Sequence, residues 1–169
     1  MTQYNFRKAT LSEIDSIWDI LKQAILRRKM DGSNQWQDGY PNLEVVKKDV
    51  EKESGYVLTE GGTIVGYIAV LINDEPAYEK IEGEWLTNDD FVLFHRVAIA
   101  ENYLGKGLAK MMINYIEDFA LKNKIKSIKA DTNFDNDAML NIFEKIGYKY
   151  CGQVYLRGNP RRAFEKVLN

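Results

Sequence analysis

Apolar positions recur along the chain at two spacings, and each spacing predicts a different kind of element. Tyr4–Lys8 reads as a short first strand. Thr10-Leu11-Ser12-Glu13 fits a capping box, in which a hydroxyl and a carboxylate three residues on each satisfy a free backbone N–H. Ile14, Ile17, Trp18, Leu21 and Ile25 then follow at helical spacing, one apolar face of a helix running to about Arg28. Met30–Pro41 carries Gly32, Asn34, Gly39 and Pro41 and reads as a loop. Asn42 is placed to cap a second helix that ends near Gly55. Tyr56–Glu60 and Ile64–Ile72 flank Gly61-Gly62-Thr63, a hairpin signal, and the second run is apolar at nearly every position, as for a strand covered on both faces.

Asn73–Asp90 is polar and acidic and is expected to be a loop or an excursion at a sheet edge. Phe91–Ile99 is a second continuous apolar strand, interrupted by His95 and Arg96. A helix is expected from around Gly105, with Leu108, Met112, Tyr115, Ile116 and Phe119 as its buried stripe. Ile125–Asp131 is the next strand; Met139, Ile142, Phe143 and Ile146 stripe a further helix, with Gly147 as its stop. Tyr148–Leu156 and Ala163–Leu168 close the sheet. Strands and helices mix throughout without repeat or linker. The expected class is therefore α/β or α+β, built as a single domain over residues 1–169 around one layered core.

Composition removes several function classes. Lys+Arg 23 nearly cancels Asp+Glu 25, so a nucleic-acid partner is not expected. One cysteine, Cys151, and one histidine, His95, leave no disulfide and no zinc site of ordinary type, and no metal is expected. Met1-Thr2-Gln3-Tyr4 onward has no signal-peptide apolar core, and the longest apolar run, Ile64–Ile72, falls far short of the ~20 residues that span a bilayer. The expectation is a soluble, cytoplasmic protein with no membrane partner. A cysteine nucleophile needs a base and an electropositive setting, and with no second histidine available Cys151 reads as packing. Arg157-Gly158-Asn159-Pro160-Arg161-Arg162 reads as a solvated basic turn.

The most informative stretch runs from Val97 through Ala109. A buried strand is followed by a short turn and then by Gly105-Lys106-Gly107 opening an amphipathic helix. The first N–H groups of a helix have no partner within it and lie at the positive end of its dipole, so an anion is favoured there. Glycines admit a phosphate close to the backbone. Two familiar phosphate motifs fail on spacing. A P-loop would need Gly at Ala100 and Ser or Thr at Gly107, and a dinucleotide fingerprint would need Gly at Lys110. On spacing alone, a plain strand-to-helix turn stays open.

The stretch Asn102-Tyr103-Leu104-Gly105-Lys106-Gly107 resembles motif A of the GNAT superfamily of N-acetyltransferases, Arg/Gln-x-x-Gly-x-Gly/Ala, with Asn at the first position. Asn136 followed by Ile142-Phe143-Glu144-Lys145-Ile146-Gly147-Tyr148 is similar to the family's second cofactor motif, an Asn and then Leu-Tyr-x-Lys-x-Gly-Phe. The order of elements from Tyr4 to Leu168 also fits, so the resemblance covers nearly the whole chain. It implies a central mixed, mostly antiparallel sheet with two splayed parallel strands, flanked by helices on both faces. The splayed strands would be Phe91–Ile99 and Ile125–Asp131.

The resemblance implies acetyl-CoA as co-substrate. Backbone groups of Val97, Ala98 and Ile99 would pair with the pantetheine arm. The N–H groups of Leu104, Gly105, Lys106, Gly107, Leu108 and Ala109 would hold the pyrophosphate, and Asn136 and Phe143 would complete the cofactor contacts. The implied reaction is direct attack of a neutral amine on the thioester, with a backbone N–H stabilising the oxyanion. An amine with a pKa of about 10 is mostly protonated at neutral pH, so a base must take its proton. His95 and Glu84 are the candidates. A tyrosine often returns a proton to the leaving thiolate in this family, and Phe143 stands at that position. Trp36 and Tyr40, in the aromatic loop before Pro41, would border the acceptor. The expected acceptor is the primary amine of a small molecule. A protein N-terminus or lysine is the alternative acceptor, and a non-catalytic CoA-binding sensor is the alternative class. Dimers are common in the superfamily, so a homodimer is among the assemblies it allows.

Overall fold

The computed structural model describes residues 3–169; Met1 and Thr2, where the leaderless N-terminus was expected to begin, lie outside them. The chain folds as two compact units, Met1–Val70 with Arg96–Tyr115 and Leu71–His95 with Ile116–Asn169.

In the first unit, β1 (Tyr4–Lys8) pairs antiparallel with β2 (Gly55–Glu60), and β2 pairs antiparallel with β3 (Thr63–Ile72). A 3-10 turn over Leu11–Glu13 leads into α1 (Ile14–Met30). The capping box forms as the sequence predicts: Thr10 N–H donates to Glu13 Oε1 at 2.8 Å. The Arg7 guanidinium beside Glu13 holds its carboxyl down at about 2. Asn42 caps α2 (Leu43–Glu51), its Oδ1 accepting from Val45 N–H at 3.0 Å. The helix ends earlier than expected, because Glu53 takes a left-handed conformation with φ 59°. The core gathers Ile17, Leu21, Val46, Val57, Tyr67 and Ala98, with Trp18 and Trp36 packed against it. The face of α1 is turned slightly from the expected one: Ile20 and Ala24 are buried, whereas Ile14, Trp18 and Ile25 are only half-buried.

In the second unit, β6 (Ser127–Thr132) runs parallel to the start of β5 (Phe91–Ile99), from Phe91↔Ser127 to Leu93↔Lys129. Both strands continue past the end of that ladder. On its other side β6 pairs antiparallel with β8 (Asn159–Val167), which forms a hairpin with β7 (Lys149–Leu156). The polar segment 73–90 is more ordered than its composition predicts. It holds a 3-10 turn, Pro76–Lys80, and a two-residue edge strand, β4 (Glu82–Gly83), on β7. α4 (Asp137–Lys145) ends where predicted: Gly147 has φ 89°, and Tyr148 N–H reaches back to Phe143 O at 2.9 Å.

β5 belongs to both units, with residues 91–95 in one and 96–99 in the other, and so does α3 (Leu108–Lys122). The strand order is β1-β2-β3-β5-β6-β8-β7-β4. Over the described residues the fold is thus α+β, with a mixed eight-stranded sheet, one parallel pair and four helices. α3 starts at Leu108 rather than near Gly105, and its buried stripe includes Ile113 and Ala120; Tyr115 is exposed, its ring stacked on Phe6 at 5.1 Å. Among the described residues no helix is long and apolar enough to cross a membrane.

Candidate active site

The turn between β5 and α3 is built by backbone conformation. A 3-10 turn over Glu101–Tyr103 follows the strand, and residues 104–107 are exposed. Gly105 and Gly107 have φ 78° and 73°, and a Cβ built on either would meet nothing within 4 Å. The glycines are therefore required for chain direction rather than for tight packing, and the space beside them is open. Leu108 is anchored in the core, and the first helical bond of α3 runs from Met111 N–H to Gly107 O at 3.1 Å. The N–H groups ahead of it have no partner within the helix. Lys106 Nζ lies 5.0 Å over the Tyr103 ring.

Upstream, Val97 is half-buried while Ala98 and Ile99 are buried. The Ile99 carbonyl already accepts a bond from Arg27 Nη2 at 3.0 Å, a partner the sequence did not suggest. Arg96 has φ 57°, a left-handed conformation rare outside glycine, and its side chain is nearly buried. It forks onto Asp49 of α2, with Nε donating to Oδ2 at 2.8 Å and Nη2 to Oδ1 at 2.6 Å. Its Nη1 donates to the Tyr40 hydroxyl, and the guanidinium lies 5.9 Å from the centre of the Tyr40 ring. Tyr67 of β3 donates its hydroxyl proton to Asp49 Oδ2 at 2.6 Å. Burial, and then the Asp49 charge, push the Tyr67 hydroxyl well above its ordinary range.

The second unit carries a separate cluster around His95. The His95 Nε2 lies 2.8 Å from Glu75 Oε2, and Nδ1 lies 3.6 Å from Asp131 Oδ2. Tyr78, wholly buried, donates to the same Asp131 oxygen at 2.6 Å, while Arg161 Nε approaches Asp131 Oδ1 at 3.2 Å. Arg161 is thus a buried partner of Asp131 rather than part of a solvated basic turn. Burial, and then the Asp131 charge, raise the Tyr78 hydroxyl far above its ordinary range.

The other predicted positions fall in different settings. Glu84 is exposed, and its backbone N–H donates to Cys151 O at 3.0 Å. Asn136 caps α4, its Oδ1 accepting from Met139 N–H at 3.2 Å. Phe143 is wholly buried, 4.7 Å from the Phe164 ring and 5.2 Å from that of Tyr148. Cys151 is buried, and burial pushes its thiol up, away from thiolate chemistry. Sequence reasoning missed Asp49, Tyr67, Glu75, Tyr78 and Asp131. The available signal was charge inside apolar strands, at His95-Arg96 and at Asp131, since buried charges need partners.

Residues 16–148 match the Acetyltransferase (GNAT) family. The chain belongs to this family. An acetyltransferase of the GNAT family from Streptococcus agalactiae is 34% identical, covers 100% of this chain and 98% of its own, and superposes with a TM-score of 0.91. An acetyltransferase structure from Salmonella typhimurium with its cofactor acetyl-CoA shares the fold at 18% identity and a TM-score of 0.68, over 98% of this chain and 94% of that one. N-acetylaspartate synthetase of Xenopus tropicalis is 30% identical over 93 residues, which cover 55% of this chain. This GNAT chain spans only 30% of the length of that relative. The matched region, residues 16–148, contains the Gly105–Gly107 turn, Asn136 and Phe143.

Proposed function

We propose that this GNAT chain transfers the acetyl group of acetyl-CoA to the primary amine of a small molecule. The observation that carries the reading is the turn at Gly105 and Gly107 at the start of α3, with left-handed glycines and open space at both Cβ positions. A pyrophosphate fits that cradle without displacing a side chain. Acetyl-CoA supplies the acyl group as a thioester. In this reading Leu104 through Ala109 hold the phosphates, Val97, Ala98 and Ile99 line the pantetheine arm, and a β5 N–H steadies the oxyanion as the amine attacks.

The amine's proton goes to His95. The ring is half-buried and held from two sides by Glu75 and Asp131, which fix its orientation. Glu84, which is exposed, is the second candidate. The departing thiolate needs no dedicated acid: a thiol with a pKa of about 8.5 takes its proton from water. Trp36, leaning on the core, and Tyr40, held by Arg96, offer aromatic walls suited to a small acceptor. The name of the Xenopus relative denotes the acetyl amide of a small amino acid, which points the same way.

Thiol release from acetyl-CoA against amines, polyamines, amino acids and short peptides tests the acceptor class. Turnover confined to peptides would overturn the small-molecule reading. Gly105→Asp and Gly105→Asn test the cradle, because both side chains tolerate left-handed backbone and only one adds negative charge. The expected outcome is acetyl-CoA affinity about tenfold weaker in the Asp variant than in the Asn variant, by calorimetry. Equal affinities in two folded variants would place the phosphates elsewhere.

A further inference from the structure

Tyr40 lies on an irregular segment between α1 and α2, yet Arg96 ties its hydroxyl to the buried centre of its unit. The other three members of that network sit on regular elements: Asp49 on α2, Tyr67 on β3 and Arg96 on β5. Arg96 uses Nε and Nη2 on Asp49, leaving the outer edge of the fork for the Tyr40 hydroxyl. Tyr67 donates to the same Asp49 oxygen that Arg96 Nε uses, and so helps to fix the carboxylate. The guanidinium therefore has one orientation, set by two elements, and it transmits that orientation to a loop. Its backbone stands in a left-handed conformation that a residue with a Cβ rarely adopts, held because the surroundings over-determine it. A buried ion pair of this kind is weak support for stability, since apolar side chains of similar volume often do as well. Its geometric consequence is specific: it places an aromatic ring.

We infer that Arg96 is a positioning residue for the acceptor amine, acting through Tyr40, with Asp49 and Tyr67 fixing its guanidinium. The inference rests on the reading that Tyr40 and Trp36 wall the acceptor site. Tyr40→Phe keeps the ring and removes the tether. Arg96→Lys keeps the charge but cannot fork to Asp49 and reach Tyr40 together. Each single variant is expected to raise KM for the acceptor about tenfold, the loss of one charge-assisted hydrogen bond, with kcat and KM for acetyl-CoA within twofold of the parent. The double variant is expected to be no worse than either single one, because both remove the same tether. Amide hydrogen exchange over residues 31–42 is expected to quicken in Tyr40→Phe, while that of β3 and β5 stays unchanged.

An unchanged acceptor KM in folded Tyr40→Phe overturns the inference, and so does an equal rise in KM for acetyl-CoA. Should Arg96→Lys fail to fold, Tyr40→Phe decides alone. Trp36→Ala separates the two levels of the argument. If it raises acceptor KM while Tyr40→Phe does not, the positioning role fails and the acceptor wall stands. If neither variant raises it, both fail. If no amine in the panel is turned over, exchange over residues 31–42 decides, and unchanged protection in Tyr40→Phe rejects the tether.

Discussion

A single hydroxyl separates Phe143 from the tyrosine that the family resemblance leads one to expect, and its surroundings show what that hydroxyl would meet. Phe143 has no exposed surface and packs within 6.3 Å of Phe94, 5.2 Å of Tyr148 and 4.7 Å of Phe164, ring centre to ring centre. The nearby Tyr148 hydroxyl is itself buried without a hydrogen-bond partner. Phe143→Tyr is therefore expected to cost about 1–3 kcal/mol, the desolvation of one unpaired hydroxyl, and to lower Tm by several degrees. It is also expected to leave kcat no higher. A faster variant of undiminished Tm would show that the hydroxyl reaches the thiolate after all. The sequence made this position legible because a motif aligned it. It did not make Glu75 legible, because one carboxylate in an acidic stretch looks like another until His95 is seen beside it.

Elements were legible where a β-rich run had clear polar breaks at both ends. β1 and β5 match the expected bounds residue for residue, since short β-rich runs between polar breaks leave little choice of ends. The start of α3 was misplaced by three residues, because glycine marks a phosphate turn and a helix start equally well in sequence, and only φ tells them apart. Segment 73–90 reads as a loop or a sheet-edge excursion and β4 is such an excursion, but a polar composition hides the buried side chains elsewhere that hold the segment in place. Glu165 of β8, wholly buried, is the anchor. It accepts from Leu86 N–H at 2.7 Å, from the Thr87 hydroxyl at 2.5 Å and from the Ser127 hydroxyl at 2.6 Å. Glu165→Ala strands those donors and is expected to cost roughly 3 kcal/mol, with faster amide exchange at Leu86 and Thr87. Glu165→Gln should recover most of that loss, since an amide accepts from Leu86 and donates to hydroxyls. If the Gln variant is as unstable as Ala, the charge rather than the bonding pattern is what matters.

At the scale of the molecule, period and polarity show which face of an element is buried but not which distant residues meet there. Asp49 and Arg96 are 47 positions apart, Tyr78 and Asp131 are 53, and no local pattern joins them. Both networks nevertheless share a feature with a measurable consequence. Each buries a tyrosine against a carboxylate, and Tyr148 adds a third buried hydroxyl. In all three, burial is the first cause that raises the hydroxyl above its ordinary value of 10.0, with the charges of Asp49, Asp131 and Glu117 adding to it. The folded chain then holds protons that the unfolded chain releases. Stability is full below the ordinary tyrosine range and falls as pH rises past about 10, one increment for each buried hydroxyl. In an alkaline titration, the tyrosinate absorbance of these three residues is expected to appear only as far-UV circular dichroism is lost, the two transitions sharing one midpoint. Replacing Tyr78 with Phe removes one such proton but also takes a buried hydrogen bond from Asp131 Oδ2. It should therefore flatten the alkaline limb while lowering stability at pH 7. Complete tyrosinate formation in a chain that keeps its circular dichroism would mean that these hydroxyls reach solvent without unfolding, and that neither network is closed.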